Sequence, residues 1–248
     1  TIALNFMKQV FYVVAIAVLS VTLLSGLSAC RKVVGGGPVV SNERTLPDFD
    51  RIESSIPGNV YLKEGNEQSV ILEGPQEYVD VVETKVQNGI LKIKIRNNTN
   101  LLHSGRLRVH ITIPEYRSVI SMGSGNIYGE SAINGTGIEL KLTGSGNMEL
   151  DKISSETVRC ELTGSGNLKI LGGSADGLNI RLTGSGNFNA QHMESNTADV
   201  SASGSGNTTL RVRDRLTVNL SGSGDVNYYG NPAVNSYISG SGKVKKKG

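Results

Sequence analysis

The chain has 248 residues, room for one large all-β domain or two small ones. Its 25 basic and 22 acidic side chains nearly cancel, which argues against a nucleic-acid binder, whose partner demands a strongly basic field. Two cysteines, Cys30 and Cys160, give no disulfide framework once the first is occupied as described next.

Met7-Lys8-Gln9 reads as the true start with a positive n-region, so residues 1–6 come from an over-extended start. Val10 to Leu24 is an apolar h-region, and Leu27-Ser28-Ala29-Cys30 closes it with small residues. That order resembles a bacterial lipobox. The resemblance implies a lipoprotein signal peptide over residues 1–29, cleavage before Cys30, and lipid on its thiol and new amino terminus. The alternative is an N-terminal membrane anchor, because the apolar run approaches spanning length. The lipobox is the stronger reading, since chance rarely sets one of only two cysteines directly after such a run. Without residues 1–29 the chain keeps 24 basic and 22 acidic residues. Lys245-Lys246-Lys247 then reads as a solvated end.

Residues 30–44 are the lipidated cysteine and a Val/Gly/Pro/Ser stretch without periodicity, expected to be a flexible tether. Residues 45–115 carry strand signals. Asn59 to Lys63 and Ser69 to Leu72 flank a Glu64-Gly65-Asn66 turn. Leu91 to Ile95 follows the hairpin dipeptide Asn88-Gly89, and Leu107 to Ile113 ends at Pro114. Gln76 to Val86 is read as a short helix, against the β-branched Val79, Val81 and Val82.

From residue 116 a tetrapeptide takes over. Gly123-Ser124-Gly125-Asn126 recurs at Gly144 to Asn147, Gly164 to Asn167, Gly184 to Asn187 and Gly204 to Asn207. Two decayed copies, Gly222 to Asp225 and Gly240 to Lys243, follow. Successive first glycines lie 21, 20, 20, 20, 18 and 18 residues apart, the period of stacked identical units.

The register can be read from the apolar residues. Six before each Gly-Ser-Gly stand Ile138, Val158, Leu178, Ala198, Leu216 and Val234; two before stand Leu142, Leu162, Leu182, Ala202, Leu220 and Ile238. Leu140, Cys160, Ile180, Val200 and Val218 lie between, with polar residues alternating, so each coil holds a strand with one buried face. After the glycine corner a second strand points Ile127, Met148, Leu168, Phe188, Thr208 and Val226 inward. The shortening from 20 to 18 falls in a looser third side. These features predict an all-β fold, a right-handed parallel β-helix of roughly seven coils over 116–248, with the N-terminal β region continuous with it. At about 4.8 Å per coil the rod is about 30–35 Å long. Outward charges alternate in sign: Lys141, Glu161 and Arg181; Glu139 with Arg159; Glu149 with Lys169.

The tetrapeptide lacks the Lys-Ser/Thr of a P-loop and the βαβ setting of a dinucleotide site, and seven copies would mean seven sites. Its residues are therefore assigned to turns: Gly123, Asn126, Gly144, Asn147, Gly164, Asn167, Gly184, Asn187, Gly204, Asn207, Gly222 and Asp225. The glycines supply positive φ, the asparagines tolerate the left-handed region, and stacked asparagines form an amide ladder. Calcium fits poorly, since neutral Asn stands where carboxylate is needed. No metal or cofactor is expected. His103, His110 and His192 are isolated, and Asp176, Glu194 and Asp214 on the third side are too scattered for a catalytic carboxylate pair. Cys160 is read as a packed apolar residue. Tyr228, Tyr229 and Tyr237 are read as a cap on the last coil, or else as a binding cluster.

The repeats, with Phe49-Asp50-Arg51-Ile52, Asn59 to Gly65, Asn88 to Ile95 and Val109 to Pro114 before them, resemble the putative auto-transporter adhesin "head GIN" domain family. The resemblance covers nearly all of the mature chain. It implies a secreted or lipid-anchored envelope protein with a β-helical fold and brings no catalytic residues. The expectation is a non-enzymatic, outer-membrane-tethered binding head with the membrane, through Cys30, and a glycan or protein as partners, and with self-association left open. A periplasmic scaffold or sensor component is the alternative, because Cys30-Arg31-Lys32 lacks the acids associated with surface export. A polysaccharide-processing enzyme comes third.

Overall fold

A computed structural model describes residues 31–248, so Cys30 and the lipobox lie outside the described residues. Before the repeats come β1 (Arg31–Val34), β2 (Val39–Glu43), β3 (Arg51–Ser54), β4 (Asn59–Glu64), β5 (Ser69–Pro75) and the one-turn helix α1 (Gln76–Val79). They are followed by β6 (Val82–Gln87), β7 (Ile90–Ile95), β8 (Thr99–Leu102), β9 (Arg108–Ile113) and β10 (Ser118–Ser121). Among the described residues no helix is long and apolar enough to cross a membrane.

Asn88 and Gly89 both take positive φ, 51° and 72°, the pair of left-handed residues a tight hairpin needs, and they join antiparallel β6 and β7. β6 overwrites most of the helix expected over Gln76 to Val86. Only Gln76–Val79 is helical; beyond it Val82 and Val86 alternate with polar residues and pair with β7. β4 and β5 are not partners in a hairpin. β9 lies between them, parallel to β4 and antiparallel to β5.

The stretch expected to be a free tether is instead folded onto the head. β1 runs parallel to β8, setting buried Val33 opposite buried Leu101. β2 closes the outer edge of β5 in antiparallel register. Paired edges protect a sheet from foreign strands, which gives this segment a reason to be ordered.

The repeats form long bent strands: β11 (Ile127–Gly144), β12 (Met148–Gly164), β13 (Leu168–Gly184), β14 (Phe188–Gly204) and β15 (Thr208–Gly222). Shorter β16 (Val226–Tyr229), β17 (Ala233–Gly240) and β18 (Val244–Lys246) complete them. Each strand pairs in parallel with the next coil, so Leu142, Leu162, Leu182, Ala202 and Leu220 stand in one register. All five are at most 5% exposed. The head joins the same 16-stranded sheet: β10 pairs with β3 and β11, and β4 with β11. One core therefore runs unbroken from Ile52 to Val226.

The result is a β-solenoid of about six turns, against the seven expected. Seven glycine corners bound only six intervals, and the first corner, at Gly123, abuts the carbonyls of Ser55 and Ile56 in the head. The third side is more regular than expected, because β12 and β13 pair through it from Lys152↔Gly172 to Ser155↔Ala175. Where the period drops to 18, between β14 and β15, the register slips after Ala190 and again after Ser195. The inward columns end at β17, where Val234 and Ile238 are 41% and 46% exposed.

Candidate binding face

The corners hold the residues the sequence assigns to turns. Gly144, Gly164, Gly184, Gly204 and Gly222 have φ between +117° and +148°, whereas Gly123 does not share the positive φ. The second glycine of each corner is needed for another reason. A Cβ on Gly186 would fall 2.0 Å from the carbonyl oxygen of Gly166 in the coil beneath. Asn126, Asn147, Asn167, Asn187 and Asn207 are not left-handed, contrary to expectation, because the preceding glycines already make the bend. They do form the amide ladder: Nδ2 of Asn147, Asn167 and Asn187 donates to Oδ1 of the rung before at 3.1, 2.9 and 2.9 Å. The same oxygens accept the backbone N–H of the next rung. Asn126 carries the ladder into the head by donating to Asn59, and Asp225 ends it by accepting the N–H of Lys243. Lys245 hydrogen-bonds to Asp225, and chiefly for that reason its carboxyl lies below the ordinary value. Amides spent on their neighbours hold coils together.

Two of the expected charge pairs form, Lys141–Glu161 and Lys169–Glu149, each at 3.2 Å. Glu139 instead accepts a hydrogen bond from Ser118. Arg159 and Arg181 have no carboxylate within ion-pair distance among the described residues.

Of the third-side carboxylates, only Asp214 makes an ion pair among the described residues. Arg213 donates to Asp214 at 3.0 and 3.1 Å, and the charges of Glu194 and Asp176 also act on it. Asp176 accepts from Asn196. The guanidinium holds the Asp214 carboxyl below its ordinary value, the reverse of what a general acid requires. The histidines stand apart. His103 is in the left-handed region at a loop, and His192 contacts Gln191 on the surface. His110 stacks on Tyr61 at 4.9 Å and Tyr61 on Tyr128 at 5.4 Å. This aromatic stack had no signal in the sequence, because its rings come from β4, β9 and β11, which only the fold brings side by side. Cys160 is fully buried, and burial pushes its thiol pKa up, so it is a poor nucleophile. Among the described residues no three His, Cys, Asp or Glu side chains gather as metal ligands.

Of the three tyrosines, Tyr228 packs against the end of the hydrophobic core, as a cap would. Tyr237 is 64% exposed, and Tyr229 lies under the Arg211 guanidinium, 5.3 Å from its ring centre. Tyr237 closes one end of a cleft of about 460 Å³ on the outer face of β13, β14, β15 and β17. Arg181 closes the other end, and the lining between combines Ser201, Asn219, Ser203 and Ser221 with Leu182, Ala202 and Leu220. A second cleft, of about 520 Å³, lies in the head beside Asp48, Asp50, Arg51 and Glu115. There Asp50 is already engaged by Arg51 and Arg117.

Comparison with known proteins agrees with this architecture. A putative adhesin from Bacteroides fragilis NCTC 9343 is similar over 87% of this chain and all of its own, with 19% identity and a TM-score of 0.82. A putative adhesin from Parabacteroides merdae ATCC 43184 has 18% identity and a TM-score of 0.71, over 88% of this chain and all of its own. A putative lipid binding protein from Parabacteroides distasonis ATCC 8503 has 22% identity over the same shares, also with a TM-score of 0.71. At such identities the likeness is one of fold. A search of curated proteins finds no match. The family model described as "Putative auto-transporter adhesin, head GIN domain" matches residues 48–232, and the chain belongs to that family.

Proposed function

We propose that this protein is a non-enzymatic, adhesin-like binding head of the cell envelope, held to the outer membrane by lipid on Cys30. One observation carries the reading: a continuous solenoid core holds outward side chains in fixed register over about six turns, a rigid and repetitive surface. Family membership supports an envelope location. The mature protein binds glycan or protein surfaces weakly and through several contacts, so that immobilised protein binds far better than dilute monomer. No nucleic acid is a partner, and no cofactor takes part.

Glycan arrays and cell-adhesion assays with the full mature protein test this reading, together with protease shaving of intact cells. Binding without turnover of polysaccharide, phosphoester or peptide is expected. Reproducible cleavage abolished by Asp176→Asn would overturn it in favour of an enzyme. Cys30→Ala should release the protein from membranes; a variant still membrane-bound refutes the lipid anchor. Cys30-Arg31-Lys32, without acids, favours a second reading, a scaffold or sensor component facing the periplasm. Full protection from protease on intact cells, with normal adhesion after deletion, would select it.

A further inference from the structure

We propose that the cleft between Arg181 and Tyr237 binds a short acidic oligosaccharide, a uronic-acid-type chain laid along the solenoid axis. The inference rests on the binding-head reading and names the site and ligand class it would use. Arg181, Ser201, Asn219 and Tyr237 occupy one outward column, joined rung by rung through β13, β14, β15 and β17. Three coil steps of about 4.8 Å separate the arginine from the tyrosine, a span of roughly 14 Å that suits a trisaccharide.

The charge balance selects an anion. Among the described residues Arg181 is the only charged one lining this cleft. Its neighbour in the ladder, Glu161, is bonded to Lys141 at 3.2 Å, which leaves the guanidinium unpaired. Asp199 lines an adjoining cleft, which Arg181 shares with Arg159 and Glu161, but does not line this one and makes no ion pair with Arg181 among the described residues. A planar guanidinium fork matches a carboxylate in two parallel hydrogen bonds, which a hydroxyl cannot reproduce.

The rest of the lining suits a sugar better than a peptide. Ser201, Ser203, Ser221 and Asn219 offer donors and acceptors at coil spacing, close to the repeat of a sugar chain. The exposed Tyr237 ring supplies one apolar wall with a polar tip, on which a pyranose face can rest. A peptide binding by strand addition would dock on the free outer edge of β17, beyond the cleft, because β13, β14 and β15 within it have neighbours on both sides.

The test is titration of the full mature protein with trigalacturonic acid, its methyl ester and a hexaglutamate peptide, read by calorimetry and by amide chemical shifts. The acid should bind and shift amides of β13 to β17. The methyl ester, which keeps the skeleton and loses the charge, should bind about tenfold more weakly, the scale of one charge-assisted pair. Arg181→Gln should weaken binding of the acid by a similar factor, Tyr237→Ala should weaken binding of both sugars, and Lys169→Gln on another face should change neither. Arg181 and Tyr237 are exposed, and an unchanged thermal midpoint would establish that their variants fold. Equal affinity for acid and ester, an Arg181→Gln variant that binds the acid as wild type does, or Arg181-dependent binding of hexaglutamate alone would each overturn the proposal. Adhesion that survives Arg181→Gln while trigalacturonate binding is absent sinks this cleft and leaves the binding head standing. Trigalacturonate binding at the cleft without any adhesion does the reverse.

Discussion

Gly184 and Gly186 show how one tetrapeptide places two different demands on the same residue type. Gly184 sits at φ +117°, where a side chain is strained whatever the space around it. Gly186 has an ordinary φ but lies against the carbonyl of Gly166. Gly184→Val and Gly186→Ala should therefore each destabilise, by upwards of about 2 kcal/mol in urea denaturation. A Gly186→Ala variant as stable as wild type would refute the close-approach account. Thr208 makes the opposite prediction. It is fully buried, and its hydroxyl has no hydrogen-bond partner among the described residues. Thr208→Val keeps the branched shape that suits a strand and removes an unsatisfied polar group, so it should stabilise by about 1 kcal/mol. A loss of stability on that substitution would mean that the hydroxyl is bonded after all.

Among the elements, β11 to β15 derive their register from an apolar face that a one-residue slip would turn outward. Leu182, 1% exposed between Leu162 and Ala202, anchors that face. Leu182→Asn should cost on the order of 2–5 kcal/mol by losing packing and burying an amide. Lys141→Asn, which removes only the partly exposed pair with Glu161, should stay within about 1 kcal/mol. Equal losses would contradict the assigned faces. At the N-terminal end it is pairing that decides. β1 and β2 are strands because β8 and β5 offer them partners 60-odd and 30-odd residues downstream, a long-range gain that local composition does not reveal.

At the scale of the molecule the solenoid is nearly one-dimensional, each coil held by its neighbours, so stability should fall where a neighbour is missing. Among the described residues β17 pairs only with β15, and all eight of its residues are exposed. Native-state hydrogen exchange should therefore show strong protection through β12 to β14 and a steep decline across Ala233–Gly240. Uniform protection to the last coil would require another surface to cover that end. The same geometry separates the faces. The ladder of Asn126 to Asn207 is consumed in stacking, while the column from Arg181 to Tyr237 leaves its polar groups outward.

The period of 18–21 residues, the alternation inside it and the glycine corners are local facts repeated many times, and they sufficed for the parallel coils, the buried columns and the asparagine ladder. Repetition turns one pairing rule into the whole solenoid, because each coil's partner is the next copy of itself. The head has no such rule. Its strands find partners far away in the sequence, so β9 between β4 and β5, the strands in the supposed tether and the stack of Tyr61, His110 and Tyr128 emerged only with the fold. The candidate site lies between these cases. Periodicity already placed Arg181 outward, but only the tertiary structure showed that Glu161 turns to Lys141 and that Tyr237 stands exposed three coils away. Which of several neighbouring charges pair is decided by side-chain geometry across coils, and the alternation of signs along a sequence does not carry that information.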